Sequence, residues 1–316
     1  MRIVFCGTPA FALPTLKHLL SLPEFEIIAV ITQPDRPRGR GQEISFSPVK
    51  TAALAAGIAV HQPEKIRAPE AQELLEKLGP DGIVIIAYGQ IIPGRLLNIP
   101  KHGWINLHAS LLPKYRGAAP INWAIVNGEN KTGLTTMSID AGMDTGEMLL
   151  RREMEIGPAE TAPELAARMA EAGAPLMTET LRGIAAGAIV ARAQNHAEAS
   201  LAPMLKKEDG RIDWNHTAGQ IYNRMRGFAP WPGAYTTFRG QSCHLWGEPV
   251  SKKTREKAAA GSPGTLTPHD GSLLVSCGLA TVLRVQGVKL EGRRQISGAE
   301  FLNGAHLKPE ERFGSS

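Results

Sequence analysis

The stretch Trp104-Ile105-Asn106-Leu107-His108-Ala109-Ser110-Leu111-Leu112-Pro113 joins an apolar strand to the irregular loop that follows it. If residues 104–108 form a strand, Asn106 and His108 point to the same face, because successive side chains of a strand alternate. Open α/β sheets bind ligands at the carboxyl ends of their parallel strands. We therefore predict a site here. On spacing alone, an Asn and a His that merely satisfy nearby backbone groups remain the alternative.

This strand belongs to an alternation of strand-like and helix-like segments over the first part of the chain. The strand-like runs are residues 2–6, 27–32, 82–87 and 104–108, and the helix-like segments are 11–20, 48–56 and 68–78. Residues 133–139 and 147–154 flank a turn and predict a hairpin, and residues 161–186 predict one long helix. This rhythm predicts an α/β domain with a Rossmann-like open sheet, which is mixed at the hairpin end.

The character of the sequence changes after a polar connector at residues 190–209. One helical stretch at 218–226 then precedes short strand-like runs, which are residues 234–238, 242–246, 264–267, 273–277 and 281–286. Short, closely spaced strands punctuated by Gly and Pro are typical of a small β-barrel. We predict an α/β domain at 1–189, a linker at 190–209 and a small OB-like β-barrel domain at 210–316.

Charge and cysteine content narrow the class of protein. Residues 1–203 carry 19 basic and 20 acidic side chains, whereas residues 204–316 carry 16 and 10. The basic C-terminal part favours a polyanionic partner, with a solvated surface as the alternative. No apolar run has the length of a membrane span. Because the three cysteines and nine histidines are scattered, we expect no disulfide and no metal site. We also expect a cytoplasmic protein that does not associate with membranes.

The first predicted strand ends in Gly7-Thr8-Pro9, where nucleotide-binding folds carry a glycine-rich turn. The second and third glycines of GxGxxG are missing, and the chain contains no GxxxxGK[ST] motif. Pro9 also lacks the backbone N–H that would contact an anion. The sheet is therefore predicted to be Rossmann-like without a dinucleotide or ATP site of the usual kind.

Several motifs occur in a consistent order along nearly the whole chain. They lie at residues 7–9, 32–37, 87–89, 106–113, 116–121, 140–146, 211–214 and 230–234. Together they resemble the folate-dependent formyltransferases over about residues 1–305. The runs Ser110-Leu111-Leu112-Pro113 and Arg116-Gly117-Ala118-Ala119-Pro120-Ile121 in particular resemble the members that act on methionyl-tRNA. The resemblance implies formyl transfer from 10-formyltetrahydrofolate, as co-substrate, to the methionine amino group of initiator tRNA for translation initiation.

The same resemblance implies a catalytic group formed by Asn106, His108 and Asp144. His108 would accept a proton from the attacking amine, Asp144 would orient His108 and stabilise its cation, and Asn106 would donate to the formyl oxygen. The implied folate contacts are Ser110, Leu111, Leu112 and Pro113, with Tyr88 and Gly89 bordering the same pocket. Read without the resemblance, Asp144 in Asp-Thr-Gly is equally a turn residue that bonds to its own loop.

A basic segment at residues 34–42 carries Arg36, Arg38 and Arg40 among Pro and Gly. The resemblance implies that this segment contacts the tRNA acceptor end, with Arg40 at the most characteristic position, and that the barrel, with Lys206 and Lys207, holds the tRNA. Gln42 and Glu43 stand where lysines are common, so the segment is less basic than expected. A flexible surface loop is the alternative from composition alone.

Two other functions fit part of the pattern. A formyltransferase acting on a sugar nucleotide or another small amine would share the Asn–His–Asp set, but would not be expected to combine the basic loop with a basic barrel. A tRNA-binding module with a decayed catalytic site would not be expected to keep all three residues. No obligate protein partner is implied. Most of Trp214, Trp231 and Trp246 are expected to pack in the core, with stacking on bases as the alternative. Trp231, which lies between two prolines, is expected to form a structural corner.

Overall fold

The computed structural model describes residues 1–38, 43–251 and 261–314. The chain forms two compact units. The first comprises Met1–Pro120, Lys131–Glu155 and Glu164–Pro203, and the second comprises Ile121–Asn130, Ile156–Pro163 and Met204–Ser316. Two segments inside the range predicted for the first domain, 121–130 and 156–163, thus group with the second unit. Most of the predicted linker, up to Pro203, groups with the first unit.

A mixed sheet is the framework of the first unit. The described strands are β1 (Arg2–Gly7), β2 (Glu26–Ile31), β3 (Arg36–Arg38), β4 (Glu43–Ser45), β5 (Val60–His61), β6 (Gly82–Ile86), β7 (Trp104–His108), β8 (Lys131–Ser138) and β9 (Met148–Glu155). The sheet has the order β5-β2-β1-β6-β7-β8-β9, while β3 and β4 form a separate ribbon. The five neighbouring strands β5, β2, β1, β6 and β7 are parallel, and β8 is antiparallel to both β7 and β9. The predicted Rossmann-like open sheet, mixed at the hairpin, is confirmed.

Helices follow the strands, and all but two of them lie at predicted places. They are α1 (Leu13–Leu20), α2 (Pro48–Ala55), α3 (Pro69–Leu78), α4 (Gly94–Leu97), α5 (Pro120–Val126) and α6 (Ala162–Ala185). Ser47 caps α2, because its hydroxyl accepts a hydrogen bond from Lys50 N at 3.1 Å. The amphipathic pattern of α3 buries Leu75 completely. The short helices α4 and α5 were not predicted, since neither is long enough to show a helical period.

The second unit is built on an antiparallel sheet. Besides most of α5, its described helices are α7 (Ala218–Gly227) and α8 (Gly298–Ala305), and its described strands are β10 (Tyr235–Phe238), β11 (Gln241–Pro249), β12 (Leu266–His269), β13 (Ser272–Cys277), β14 (Thr281–Leu290) and β15 (Ile296–Ser297). The order is β10-β11-β14-β13-β12, with β15 beside β14. Both helices and the strands bury one core that includes Ile221, Leu245, Leu273 and Phe301. The predicted C-terminal β-domain is confirmed.

Helix α8 is an element that the sequence analysis missed. Its start is nevertheless visible in the sequence, because Ser297 and Glu300 form a capping box in which each side chain bonds the backbone of the other. Among the described residues, no helix combines the length and the apolar character needed to cross a bilayer.

Candidate active site

Strand β7 carries Asn106 and His108 on one face, as its alternation predicts. Asn106 lies between Ile85 of β6 and Met137 of β8, and His108 lies opposite Thr135. The Asn106 side chain is half-buried. Within the described residues, no group forms a hydrogen bond with its amide. The Asn106 amide can therefore donate to a ligand without first breaking a hydrogen bond to another described residue.

The His108 ring is almost fully buried and has two oxygen neighbours. Its Nε2 atom lies 2.9 Å from the carbonyl oxygen of Tyr115. Because a carbonyl oxygen only accepts, Nε2 carries the proton of this hydrogen bond. The Nδ1 atom faces Oδ2 of Asp144 at 3.6 Å, which is longer than a hydrogen bond. The nitrogen left to exchange a proton is therefore Nδ1, on the side of the carboxylate.

The turn between β8 and β9 holds two aspartates with different tasks. Asp140 Oδ1 accepts hydrogen bonds from Gly142 N at 3.0 Å and from the Thr145 hydroxyl at 2.7 Å. Asp144 Oδ2 instead accepts from Gly117 N, at 2.8 Å, in a different loop. The local turn role that the sequence left open for Asp144 is thus filled by Asp140. Asp144 also has a φ of +53°, a left-handed conformation that Asp tolerates better than most residues.

The loop that supplies Gly117 lies against a distant part of the chain. Arg116 N donates to Ser200 O at 2.8 Å, and Ala202 N donates to Arg116 O at 2.7 Å. A Cβ atom on Gly117 would lie 2.7 Å from the Ala202 carbonyl oxygen. Sequence reasoning missed Gly117 and Ser200 as parts of the site. It placed 200–202 in the linker, and one sequence carries no sign of this long-range pairing.

The segment Ser110–Pro113 follows β7 directly and is tied to the protein through its polar groups. The Ser110 hydroxyl donates to Lys114 O at 2.6 Å, and the Thr135 hydroxyl bridges Ser110 O and Leu112 N at 2.7 and 3.2 Å. Ser110, Leu112 and Pro113 are buried, whereas Leu111 is partly exposed. Of these four predicted folate contacts, Leu111 is the one that offers side-chain surface.

Tyr88 and Gly89 lie just after β6, where the parallel strands end. The Tyr88 carbonyl accepts hydrogen bonds from the Gln33 side chain at 3.0 Å and from the Thr8 hydroxyl at 3.3 Å. The Tyr88 side chain itself lies in the hydrophobic core. Its burial raises the pKa of the phenol well above the ordinary value. What this pair can offer a ligand at the strand ends is therefore backbone rather than the Tyr88 ring.

The described part of the predicted basic segment, residues 34–38, includes β3, which pairs with β4. Arg36 lies on β3 with its guanidinium exposed, 3.8 Å from the Glu64 carboxylate. Arg38 ends β3, and Arg40 lies outside the described residues. Asp35, directly before β3, forms an ion pair with Lys50 of α2. Hydrogen bonds from Lys50 and Gln62 lower the pKa of the Asp35 carboxyl. This carboxylate therefore stays ionised at neutral pH.

The predicted tRNA-contacting residues of the second unit are exposed. Lys206 and Lys207 lie at the start of a single 3₁₀ turn, Lys207–Gly210. Trp214 is buried, with its indole N–H donating to the Thr236 hydroxyl at 3.1 Å. Trp231 and Trp246 are 55% and 39% exposed, so the expectation that most of the three tryptophans pack in the core was wrong. Trp231 lies in a turn between prolines, and Trp246 occupies an outward position of β11.

No set of three or more His, Cys, Asp or Glu side chains in the described part of the chain is arranged to hold a metal ion. The groups that the site does present are an amide donor, an imidazole and a carboxylate. Such a set can stabilise developing negative charge and move a proton, as group transfer to an amine requires.

Comparison with known proteins assigns the chain to a family. Residues 1–181 match the formyl transferase family, and residues 204–306 match the formyl transferase C-terminal domain. The chain therefore belongs to the formyl transferase family. The methionyl-tRNA formyltransferase of Solibacter usitatus is 54% identical over 315 residues, covering 99% of each chain. That of Acidobacterium capsulatum is 50% identical over 316 residues, covering 100% of each. These relatives place the chain in the methionyl-tRNA formyltransferase group.

A solved structure shares the fold at much lower identity. It is the N-formyltransferase from Helicobacter canadensis in complex with folinic acid and dTDP-3-aminofucose, with a TM-score of 0.64 and 18% identity. The match covers 90% of this chain and 98% of that one. At this identity the likeness shows the common fold alone.

Proposed function

We propose that this chain transfers the formyl group of 10-formyltetrahydrofolate to the α-amino group of methionine esterified to initiator tRNA. The observation that carries the proposal is that an unpartnered amide, Asn106, lies two residues along β7 from His108, whose imidazole faces the Asp144 carboxylate at 3.6 Å. The identity of 54% to the Solibacter usitatus methionyl-tRNA formyltransferase supports the acceptor.

The chemistry uses each of the three residues. In the net reaction, the amine nitrogen bonds to the formyl carbon, the bond from that carbon to N10 of the folate breaks, and the proton lost by the amine ends on N10. Asn106 donates to the formyl oxygen as negative charge develops there, which contributes on the order of 10²–10³ in rate. His108 accepts the amine proton at Nδ1. Asp144 stabilises the resulting imidazolium while Gly117 N–H holds its carboxylate.

The donor is proposed to lie against Ser110–Pro113. The Ser110 hydroxyl, the Ser110 carbonyl and the Leu112 N–H are already bonded within the chain, so the segment presents a fixed surface on which Leu111 is the partly exposed apolar group. Packing of Leu111 on the pterin ring follows from that surface. The folinic acid bound to the Helicobacter canadensis enzyme supports a folate-derived donor. When bound, the donor supplies the formyl carbon and the N10 leaving group.

The acceptor is proposed to be held through phosphate contacts. Arg36 and Arg40 of the basic segment, together with Lys206 and Lys207, supply cations for a tRNA backbone. Arg36 is exposed, and its neighbour Glu64 is at 3.8 Å, a loose surface pair that a phosphate can replace.

One assay tests the reaction and its acceptor together. Labelled formyl from 10-formyltetrahydrofolate is offered with initiator methionyl-tRNA, with a dTDP-linked amino sugar and with methionine methyl ester. We expect label on methionyl-tRNA alone. Label on the amino sugar without label on tRNA would make the chain a sugar formyltransferase. Binding of tRNA without any transfer would make it a module with a decayed site.

Single substitutions test the phosphate contacts. In Arg36→Ala and Arg40→Ala we expect KM for methionyl-tRNA to rise about tenfold, with a weaker dependence on salt concentration. KM for the folate should stay unchanged. The matched control is Arg182→Ala, which removes another exposed arginine that is paired with a glutamate, Glu24. Equal loss of folate and tRNA affinity would contradict the role of the basic segment.

A further inference from the structure

Gln194 is a buried residue in an exposed segment. Residues 191–193 and 195–198 are exposed, whereas Gln194 is 5% exposed. By its sequence this stretch belongs to a polar linker, where an inward-facing glutamine is unexpected. A buried amide must find partners for all its polar atoms, because an unsatisfied one costs free energy. The partners of Gln194 therefore indicate why it is buried.

All four hydrogen-bonding positions of the Gln194 amide are filled. Its Oε1 accepts from Arg116 Nε at 3.1 Å and from Arg116 Nη2 at 2.7 Å. Its Nε2 donates to Asp144 O at 2.8 Å and to Gly146 O at 2.7 Å. Arginine only donates and carbonyl oxygens only accept, so these partners fix the orientation of the amide. Gln194 thus connects the Arg116 loop to the turn that carries Asp144.

The backbone around Gln194 is anchored on both sides. Arg192 and Met148 exchange hydrogen bonds at 2.8 and 2.9 Å, at the start of β9. Farther along, Ser200 O accepts from Arg116 N at 2.8 Å. Arg116 is itself buried, and its Nη1 lies 3.2 Å from His196 Nδ1. The backbone on both sides of Gln194 is therefore held in place, which fixes the position from which its side chain reaches the turn.

The turn needs such a hold at Asp144. Asp144 has a positive φ, and its carboxylate must reach both Gly117 N and the His108 ring. The Asp144 carbonyl that Gln194 binds belongs to the peptide group directly after Asp144, and the Gly146 carbonyl lies two residues farther along, so both bonds hold the backbone that follows Asp144. Gly146 also packs so closely on Ser138 O that no Cβ fits, which leaves the turn little room to adjust.

We infer that Gln194 is a positioning residue for formyl transfer: it holds the 144–146 turn so that the Asp144 carboxylate stays beside His108. The inference rests on the proposed function, because it assigns Gln194 a part in that reaction. Gln194 does not touch the reacting groups. It acts through Asp144, and Arg116 acts one step farther out by orienting the Gln194 oxygen.

The test uses Gln194→Glu in the full-length chain. A carboxylate keeps an acceptor for Arg116, so the fold should persist, with a thermal midpoint within a few degrees of the wild type. It loses both donations to the turn and faces two carbonyl oxygens. We expect kcat to fall about tenfold to a hundredfold, the range typical of displaced supporting groups, while KM for methionyl-tRNA and for the folate changes less than about twofold. Gln72→Met, at a partly exposed glutamine whose side chain donates to Glu76 far from the turn in sequence, is the control and should keep wild-type kcat.

A double-substitution cycle separates positioning from general structural damage. If Gln194 acts through Asp144, then Gln194→Glu costs little more once Asp144→Asn is present, so the two losses do not multiply. Multiplying losses, or wild-type kcat in Gln194→Glu, would overturn the inference. A crystal structure of Gln194→Glu gives a readout without turnover, since Asp144 Oδ2 should lie farther from His108 Nδ1 than 3.6 Å. An unmoved carboxylate would overturn it as well. If the wild-type protein transfers no formyl group, the proposed function fails. The distance between Asp144 Oδ2 and His108 Nδ1 in Gln194→Glu still tests whether Gln194 positions Asp144.

Discussion

The Nδ1 atom of His108 lies 3.6 Å from Oδ2 of Asp144, and that same oxygen accepts the Gly117 N–H at 2.8 Å. The carboxylate is therefore held by a backbone amide rather than by the imidazole. Its hydrogen bond to Gly117 needs an acceptor oxygen but not a negative charge. The positional and the electrostatic contributions of Asp144 can consequently be separated by substitution.

Asp144→Asn keeps an acceptor for Gly117 N and removes the charge beside His108. We expect the rate of formyl transfer to fall by about 10²–10⁴, because the imidazolium loses its counter-charge, while the thermal midpoint changes little. Single-turnover transfer measures the rate. The control is Asp140→Asn in the same turn, which can still accept from Gly142 N and Thr145 and should keep nearly full activity. Equal losses in the two variants would contradict a special role for Asp144.

Asn106→Ala removes the amide that has no partner among the described residues. Since no protein hydrogen bond is lost, the free energy of unfolding should change by less than about 1 kcal/mol. The single-turnover rate should fall by about 10²–10³, the usual loss for an oxyanion donor. The exposed Asn303 of α8 provides the control Asn303→Ala. Normal single-turnover transfer with weaker substrate binding would instead make Asn106 a binding residue.

The sequence predicts those parts of the fold that depend on local pattern. The alternation in 104–108 places Asn106 and His108 on one face, and the helix predicted at 48–56 is α2. Strand β5 and helix α5 were missed because two and seven residues are too few for a period to show. Local pattern thus yields the strand that carries the site.

The remainder of the site depends on contacts between distant segments. Gly117 meets Asp144 across 27 residues, and Tyr115 N meets the Ser200 hydroxyl across 85. One sequence contains no periodicity that reports such pairing, so Ser200 and Gln194 were read as linker residues. The expectation that most of the three tryptophans pack in the core was wrong for a related reason, since aromatic content alone does not indicate which face of a strand or turn is covered.

Gly117→Ala tests the close approach of Gly117 to Ala202, which places the Gly117 N–H beside the Asp144 carboxylate. Gly117 has a φ of +120°, and the added Cβ would lie 2.7 Å from Ala202 O. We expect a loss of about 2 kcal/mol or more in the free energy of unfolding, and lower kcat because the Gly117 N–H moves. The control is Gly57→Ala, at φ +70° with open space around it, which should cost about 1 kcal/mol and leave kcat unchanged. Similar effects of both substitutions would show that only the left-handed backbone conformation matters at Gly117.

The three cysteines are predicted to be unreactive in the folded protein. Cys6, Cys243 and Cys277 are free thiols in the core. Burial raises the pKa of Cys243 and of Cys277 to about 12, and that of Cys6 is also raised. At pH 8, a thiol of that pKa is ionised in about one molecule in 10⁴, and only the thiolate attacks a disulfide reagent. We expect essentially no reaction of the native protein with Ellman's reagent and three equivalents in guanidinium. Because the folded pKa values are raised, the small native rate should keep increasing up to pH 10, whereas an exposed cysteine levels off above about pH 8.5. A native thiol that reacts at the rate of free cysteine would show that one of these core positions opens to solvent.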